Sequence, residues 1–257
     1  FTEGAACDPQ GNVFFTDQPS DRILEWTTNE TLVTYMHPCG RANGLCFDAR
    51  GNLYACADAK NELWRIAPDR TVTVLVRGYQ GKLLNGPNDV WVSPRGSLFF
   101  TDPYYKRDYW ERGPSALPEV VYSLSEDGKT LKPAAEDVKK PNGIVGTPNG
   151  KILYVADIGA GKTFRYRIKR DGSLVNQQLF CEMGSDGMTM DERGDVYLSG
   201  KGVFVFDPKG TQLEHIQVPE AWVGNVCFGG TDHRTLFVTA SRGFYSVRMS
   251  VKGAGSQ

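Results

Sequence analysis

One short pattern recurs along the whole chain and constrains its fold more than any other feature. A polar residue, usually followed by glycine, opens an apolar-alternating run. Asp or a substitute and a glycine turn follow, then a second alternating run. The pattern reads "EGAACDPQGNVFFTD" from Glu3, "NGLCFDARGNLYACAD" from Asn43 and "NDVWVSPRGSLFFTD" from Asn88. It continues as "NGIVGTPNGKILYVAD" from Asn142, "DGMTMDERGDVYLSG" from Asp186 and "NVCFGGTDHRTLFVTA" from Asn225. The six leading residues are 40, 45, 54, 44 and 39 positions apart. The longest interval holds the polar stretch "YYKRDYWERGPSALPE", Tyr104 to Glu119, which reads as an insertion.

Each copy carries further strand candidates, among them "RILEW", "TLVTYM", "ELWRI", "TVTVLV", "TFRYRI" and "LVNQQLF". Short β-branched and aromatic runs between Gly, Pro, Asn and Asp turns are the sheet signature, and helix-period segments are essentially missing. Four strands at a period of about 40–45 residues is the arithmetic of a propeller blade. We therefore expect an all-β chain, residues 1–257 forming a single six-bladed β-propeller with four-stranded antiparallel blades. The last copy supplies "NVCFGG", "TLFVTA" and "GFYSVRMS", and no fourth strand is evident after them.

Charge is balanced, with 29 basic and 30 acidic residues and no basic cluster, which argues against a nucleic-acid or anionic-membrane surface. No apolar run approaches the ~20 residues that span a bilayer. The sequence begins at Phe1, so residues upstream are expected, and cytoplasmic and exported locations both stay open. The six cysteines form no CxxC pair and read as small buried hydrophobes. A Cys39–Cys46 bridge is the alternative for an exported protein.

If each leading residue begins the innermost strand of its blade, Glu3, Asn43, Asn88, Asn142, Asp186 and Asn225 converge at one end of the central channel. Such a ring offers two carboxylates, four carboxamides and no imidazole or thiolate, a donor set suited to a hard cation such as Ca²⁺. Asn-Gly and Asp-Gly are also ordinary turn formers. That account fits Glu3 poorly and leaves six polar choices at one point of the pattern unexplained.

Over essentially its whole length the sequence resembles the senescence-marker-protein/gluconolactonase family of six-bladed propellers, which includes luciferin-regenerating enzymes. The motifs are "EG" at Glu3, "PNDVWVSPRGSLFFTDP" from Pro87, "PNGIVGTPNGKILYVAD" from Pro141, "SDGMTMDERGDVY" from Ser185, and "VPE", "NVCFGG" and "LFVTA" between Val218 and Ala240. The resemblance implies one divalent cation, calcium foremost with Mg²⁺, Mn²⁺ or Zn²⁺ as other candidates. It also implies metal ligands at Glu3, Asn142 and Asp186, with Asn88 as a ligand or substrate contact, and hydrolysis of small lactones or related esters. Some relatives carry an arginine two positions before the matching asparagine, where this chain has Gly86, and others have acidic residues where it has Tyr104 and Tyr105.

The expected activity is metal-dependent lactone hydrolysis with Asp186 as general base. Asn43, Asn88 and Asn225 would contact substrate, and Tyr104, Tyr105 and Trp222 would wall the pocket. The rivals are a phosphotriesterase or arylesterase using the same ion, and a non-catalytic ligand-binding propeller with a structural ion. Other signals are weaker. "GAGKT" at Gly159 leads into a strand-like run instead of a helix. Asn29 opens a glycosylation sequon, and His37, His215 and His233 are scattered. Asp102 and Asp157, each just past a strand, either support the site or cap turns.

Overall fold

The computed structural model describes residues 1–255. Six antiparallel sheets stand around a central channel, each built from consecutive segments of chain. The first blade is β1 (Thr2–Cys7), β2 (Val13–Asp17), β3 (Arg22–Trp26) and β4 (Leu32–Met36). The second is β5 (Ala42–Phe47), β6 (Leu53–Ala57), β7 (Glu62–Ile66) and β8 (Val72–Val76). The third is β9 (Val90–Val92), β10 (Leu98–Thr101), β11 (Val121–Leu124) and β12 (Leu131–Ala135). The fourth is β13 (Pro141–Gly146), β14 (Ile152–Asp157), β15 (Lys162–Ile168) and β16 (Leu174–Cys181). The fifth is β17 (Met188–Met190), β18 (Val196–Gly200), β19 (Gly202–Phe206) and β20 (Gln212–Ile216). The last has three strands among the described residues, β21 (Val223–Gly229), β22 (Thr235–Ala240) and β23 (Gly243–Arg248).

The innermost strands β1, β5, β9, β13, β17 and β21 pack in turn around the axis, and β21 returns to β1, so the ring closes. Closure gives every sheet two covered faces. Six apolar clusters result, one in each gap between neighbouring blades. Leu53, Ala55 and Ile66 meet the first blade, for example, while Tyr54, Cys56 and Leu63 of the same sheet meet the third. This is why second strands such as β6 and β18 are buried at every residue instead of alternating. Outer strands lie at the rim, and β4 and β20 have no buried residue.

The repeated Asp-x-x-Gly turn joins the first two strands of several blades. In "DPQGN" the Asp8 carboxylate accepts the amides of Gln10 (2.9 Å) and Asn12 (2.8 Å), and Asp48 and Asp191 repeat the arrangement. Gly11 completes the turn at φ 93°, open to glycine and strained for other residues.

The 104–119 insertion has no strand and folds back over the second blade. The buried Asp58 carboxylate anchors it by accepting from Arg107 Nε (2.7 Å) and the Tyr109 hydroxyl (2.6 Å), while Trp110 Nε1 donates to the Asp58 carbonyl (3.0 Å). All six cysteines are free thiols, so no Cys39–Cys46 bridge forms. Cys39 instead lies against the Asp21 carboxylate at 3.5 Å. No helix among the described residues is long and apolar enough to cross a membrane.

Candidate functional site

The inner strands place their leading residues by a shared irregularity. Register shifts directly after Glu3 in β1, in the Ala42–Leu45 step of β5, the Pro141–Ile144 step of β13 and the Val223–Asn225 step of β21. A bulge of this kind re-aims a side chain at a strand end, a common device beside active sites. Thr2, Ala42, Pro141 and Val223 hold equivalent register positions opposite Asp17, Ala57, Asp157 and Ala240. The next residue in each blade is therefore Glu3, Asn43, Asn142 and, in the last blade, Gly224.

This register corrects the repeat as read from sequence. Asn225 stands one residue past the ring, and its equivalent in the third blade is Asp89. Both take the same local bonds: the Asn225 amide donates to Thr239 Oγ1 (2.9 Å), the Asp89 amide to Thr101 Oγ1 (3.1 Å). The side-chain Oδ1 of each accepts the next amide, from Val226 (2.8 Å) and Val90 (3.0 Å). Asn225 packs on Gly187 and Asp89 on Gly44, deeper in the channel. Burial lifts the Asp89 carboxyl to about 8.

At the ring itself, Asn142 Nδ2 donates to Asp186 Oδ1 (2.9 Å) and lies 2.9 Å from the Tyr105 hydroxyl. Trp222 Nε1 donates to Asp186 Oδ2 (2.6 Å). Asn142 Oδ1 is buried with no hydrogen-bond partner. Glu3 reaches the same centre by crossing the last blade. With no side chain at Gly224, the Glu3 carboxylate passes close over it, its Oε2 2.8 Å from where a Cβ would stand. A glutamate is long enough to span the gap, which accounts for the Glu at this position beside the Gly of the last blade.

Burial raises the Glu3 carboxyl well above its usual range, with the negative charges of Asp186 and Asp89 adding to the effect. Burial also lifts Asp186 to about 6, against the opposing pull of its bonds from Trp222 and Asn142. The Arg107 guanidinium lowers both carboxyls. Asn43 and Asn88 are buried at the channel end, and among the described residues neither carboxamide has a protein partner. The Asn142 Oδ1, buried and reached by no donor, costs free energy unless something else binds it.

Asp102 and Asp157 do both jobs considered for them. Asp157 accepts the amides of Lys139 (2.7 Å) and Lys140 (3.0 Å) just before Asn142, and Asp102 accepts those of Asn85 (2.9 Å) and Gly86 (2.8 Å) just before Asn88. Capping these turns fixes the entry of the donor-bearing segments. Tyr105 is brought to Asn142, whereas the Tyr104 ring lies toward Trp110, at 6.3 Å between centroids. Sequence reading missed Arg107, because nothing in the insertion ties it to a partner far away in the chain. It gave Trp222 a wall role and missed its bond to Asp186. His37, His215 and His233 bond elsewhere. The Gly159 run enters β15, a strand.

The donor set fits a hard cation: two carboxylates, an orphaned amide oxygen at their side, and further carboxamides. Among the described residues no three His, Cys, Asp or Glu side chains cluster, so any ion here depends on amide oxygens. A cavity of about 1690 Å³ opens at the opposite end of the channel, lined by inter-strand turns such as Asp48–Arg50, and Glu3, Asn43, Asn88, Asn142 and Asp186 lie outside it.

Fold and site together define a β-propeller with an oxygen-lined centre on its axis. The chain belongs to the SMP-30/gluconolactonase/LRE-like family, whose sequence model matches residues 1–242. A gluconolactonase from Zymomonas mobilis is 27% identical over 287 residues, covering 98% of this chain and 80% of the relative. The structure of a gluconolactonase from Xanthomonas campestris superposes with a TM-score of 0.89 at 29% identity, covering 96% of this chain and 86% of that one. A calcium-binding protein, regucalcin, from Agrobacterium tumefaciens shares the fold at a TM-score of 0.80 and 19% identity, over 98% of this chain and 91% of that one.

Proposed function

We propose that the chain is a divalent-metal-dependent hydrolase of small lactones, with calcium as the favoured ion. The observation that carries the reading is the buried, unpartnered Oδ1 of Asn142, whose amide nitrogen bonds Asp186, the carboxylate whose charge also acts on Glu3. Glu3, Asn142 and Asp186 would hold the ion, with Asn88 at the same channel end. A bound dication supplies charge to offset the carboxylates and to polarise a lactone carbonyl.

Asp186 takes a proton from the attacking water, whose oxygen bonds to the carbonyl carbon. The ring C–O bond then breaks, and the proton passes to the leaving alkoxide to give the hydroxy acid. Burial raises the Asp186 carboxyl, and a bound dication would draw it down again, keeping it ionised to accept a proton. Trp222 and Asn142 hold the two Asp186 oxygens in place. Asn43, Asn88 and Tyr105 offer polar groups to substrate hydroxyls. The gluconolactonase relatives support this substrate class.

The test is hydrolysis of glucono-1,5-lactone above the buffer rate, before and after exhaustive chelation. Loss of activity on chelation and recovery with Ca²⁺ is expected. Full activity after metal removal would sink the reading.

A further inference from the structure

Two cations stand against one aromatic ring at the mouth of the site. The Arg107 guanidinium carbon is 5.6 Å and Lys140 Nζ 4.8 Å from the centroid of Tyr105. The hydroxyl of that ring is within bonding distance of Asn142, so both charges lie about one ring's length from the carboxylate centre. Their bonding leaves donors unused. Arg107 gives Nε to Asp58, and among the described residues its terminal nitrogens meet no acceptor. Lys140 donates to the Tyr104 carbonyl (3.1 Å) and pairs with no carboxylate among the described residues. Beside them Arg112, 3.9 Å from the Trp110 ring, spends its donors on neutral oxygens of Asn61, Gly113 and Asn85.

Asp58 pairs with Arg107, whose charge also acts on the Glu3 and Asp186 carboxyls, while Lys140 meets no carboxylate among the described residues. A neutral sugar lactone needs donors and acceptors but no unpaired ammonium beside them.

We propose that this site selects lactones bearing an anionic substituent (carboxylate, phosphate or sulfonate), which Arg107 and Lys140 bind beside the Tyr105 ring. The proposal rests on the lactonase reading and narrows its substrate class. The guanidinium suits a two-oxygen contact and the ammonium adds a compact charge.

The experiment compares kcat/KM of the Ca²⁺-loaded protein for glucono-1,5-lactone, its 6-phosphate and a glucarolactone. At least one anionic lactone should be favoured tenfold or more at low ionic strength, with the advantage shrinking in 0.5 M salt. In Lys140→Met the anionic-to-neutral ratio should fall about tenfold, equivalent to about 1.4 kcal/mol, and Lys140→Arg should restore most of it. Reading the ratio cancels any general loss of activity in a variant. Equal kcat/KM for all three lactones, or a preference that survives both salt and Lys140→Met, overturns the proposal and leaves the lactonase reading intact. Hydrolysis of none of them overturns the lactonase reading, and the proposal falls with it.

Discussion

Asn142 spends its amide nitrogen on Asp186, at 2.9 Å, and so leaves its carbonyl oxygen buried without a donor. The pair comes from adjacent blades, 44 residues apart in sequence. An orphaned buried oxygen costs roughly 1–3 kcal/mol, and a bound cation removes that cost.

Asn142→Ala should therefore weaken Ca²⁺ binding by about 100-fold or more, since outer partners of metal ligands alone are worth 10–100-fold. Calorimetric titration reads this directly. An unchanged affinity would take Asn142 out of the ligand set.

Gly224 is the gap through which Glu3 reaches the axis. A Cβ there would meet the Glu3 carboxylate at 2.8 Å and the Thr2 carbonyl at 2.9 Å, and the second of these is backbone and cannot swing aside. Gly224→Ala should lose both stability, by about 1–3 kcal/mol as overpacked sites do, and ion affinity. Gly113→Ala, with nothing within 4 Å of the added carbon, is the control and should be near neutral. Urea unfolding and calcium titration of the two variants separate the effects; wild-type affinity in Gly224→Ala would refute the role given to the gap.

Metal-free protein should show an unusual pH response. Glu3 and Asp186 have raised carboxyl values in the fold, chiefly from burial. Their protonated forms are the ones the folded state favours. The stability they contribute is fully present below the unfolded value near 4 and is lost as pH rises through the folded value, about 6 for Asp186. Chelated protein should thus gain Tm between pH 7.5 and 5.5 relative to Asp186→Asn, by about 2–4 °C per kcal/mol. With calcium bound the trend should reverse, because protons then compete with the ion for the same oxygens. Parallel Tm curves for chelated wild type and Asp186→Asn would show that Asp186 is not held out of water.

Much of this was legible in the sequence because a propeller writes itself as a repeat. Each blade must return to the axis, so polar leaders recur at one point of an otherwise apolar pattern, and β3 and β7 match the segments "RILEW" and "ELWRI" residue for residue. The last blade misled by one position. Its asparagine stands beside a glycine as Asn43 and Asn142 do, but Gly224 precedes Asn225 instead of following it, and only the register against β22 tells which of the two faces the ring. The insertion was legible as an interruption and nothing more. Its Arg107 depends on Asp58, 49 residues earlier, a contact set by tertiary folding and carried by no local pattern.

Trp222 shows how an aromatic residue can act through its polar edge. Its indole N–H meets Asp186 Oδ2 at 2.6 Å and helps hold that carboxyl down against the upward push of burial. Trp222→Phe keeps most of the apolar volume and removes the donor, so the Asp186 value should rise and the acid limb of the kcat/KM profile should move to higher pH. A hydrogen bond to a charged group is worth roughly 1.5–3 kcal/mol, so activity on the acid limb should fall by about tenfold or more. The deficit should shrink as pH rises and Asp186 ionises again. If Trp222 merely walled the pocket, the loss would be the same at every pH, and that outcome would return it to the role its sequence position alone implies.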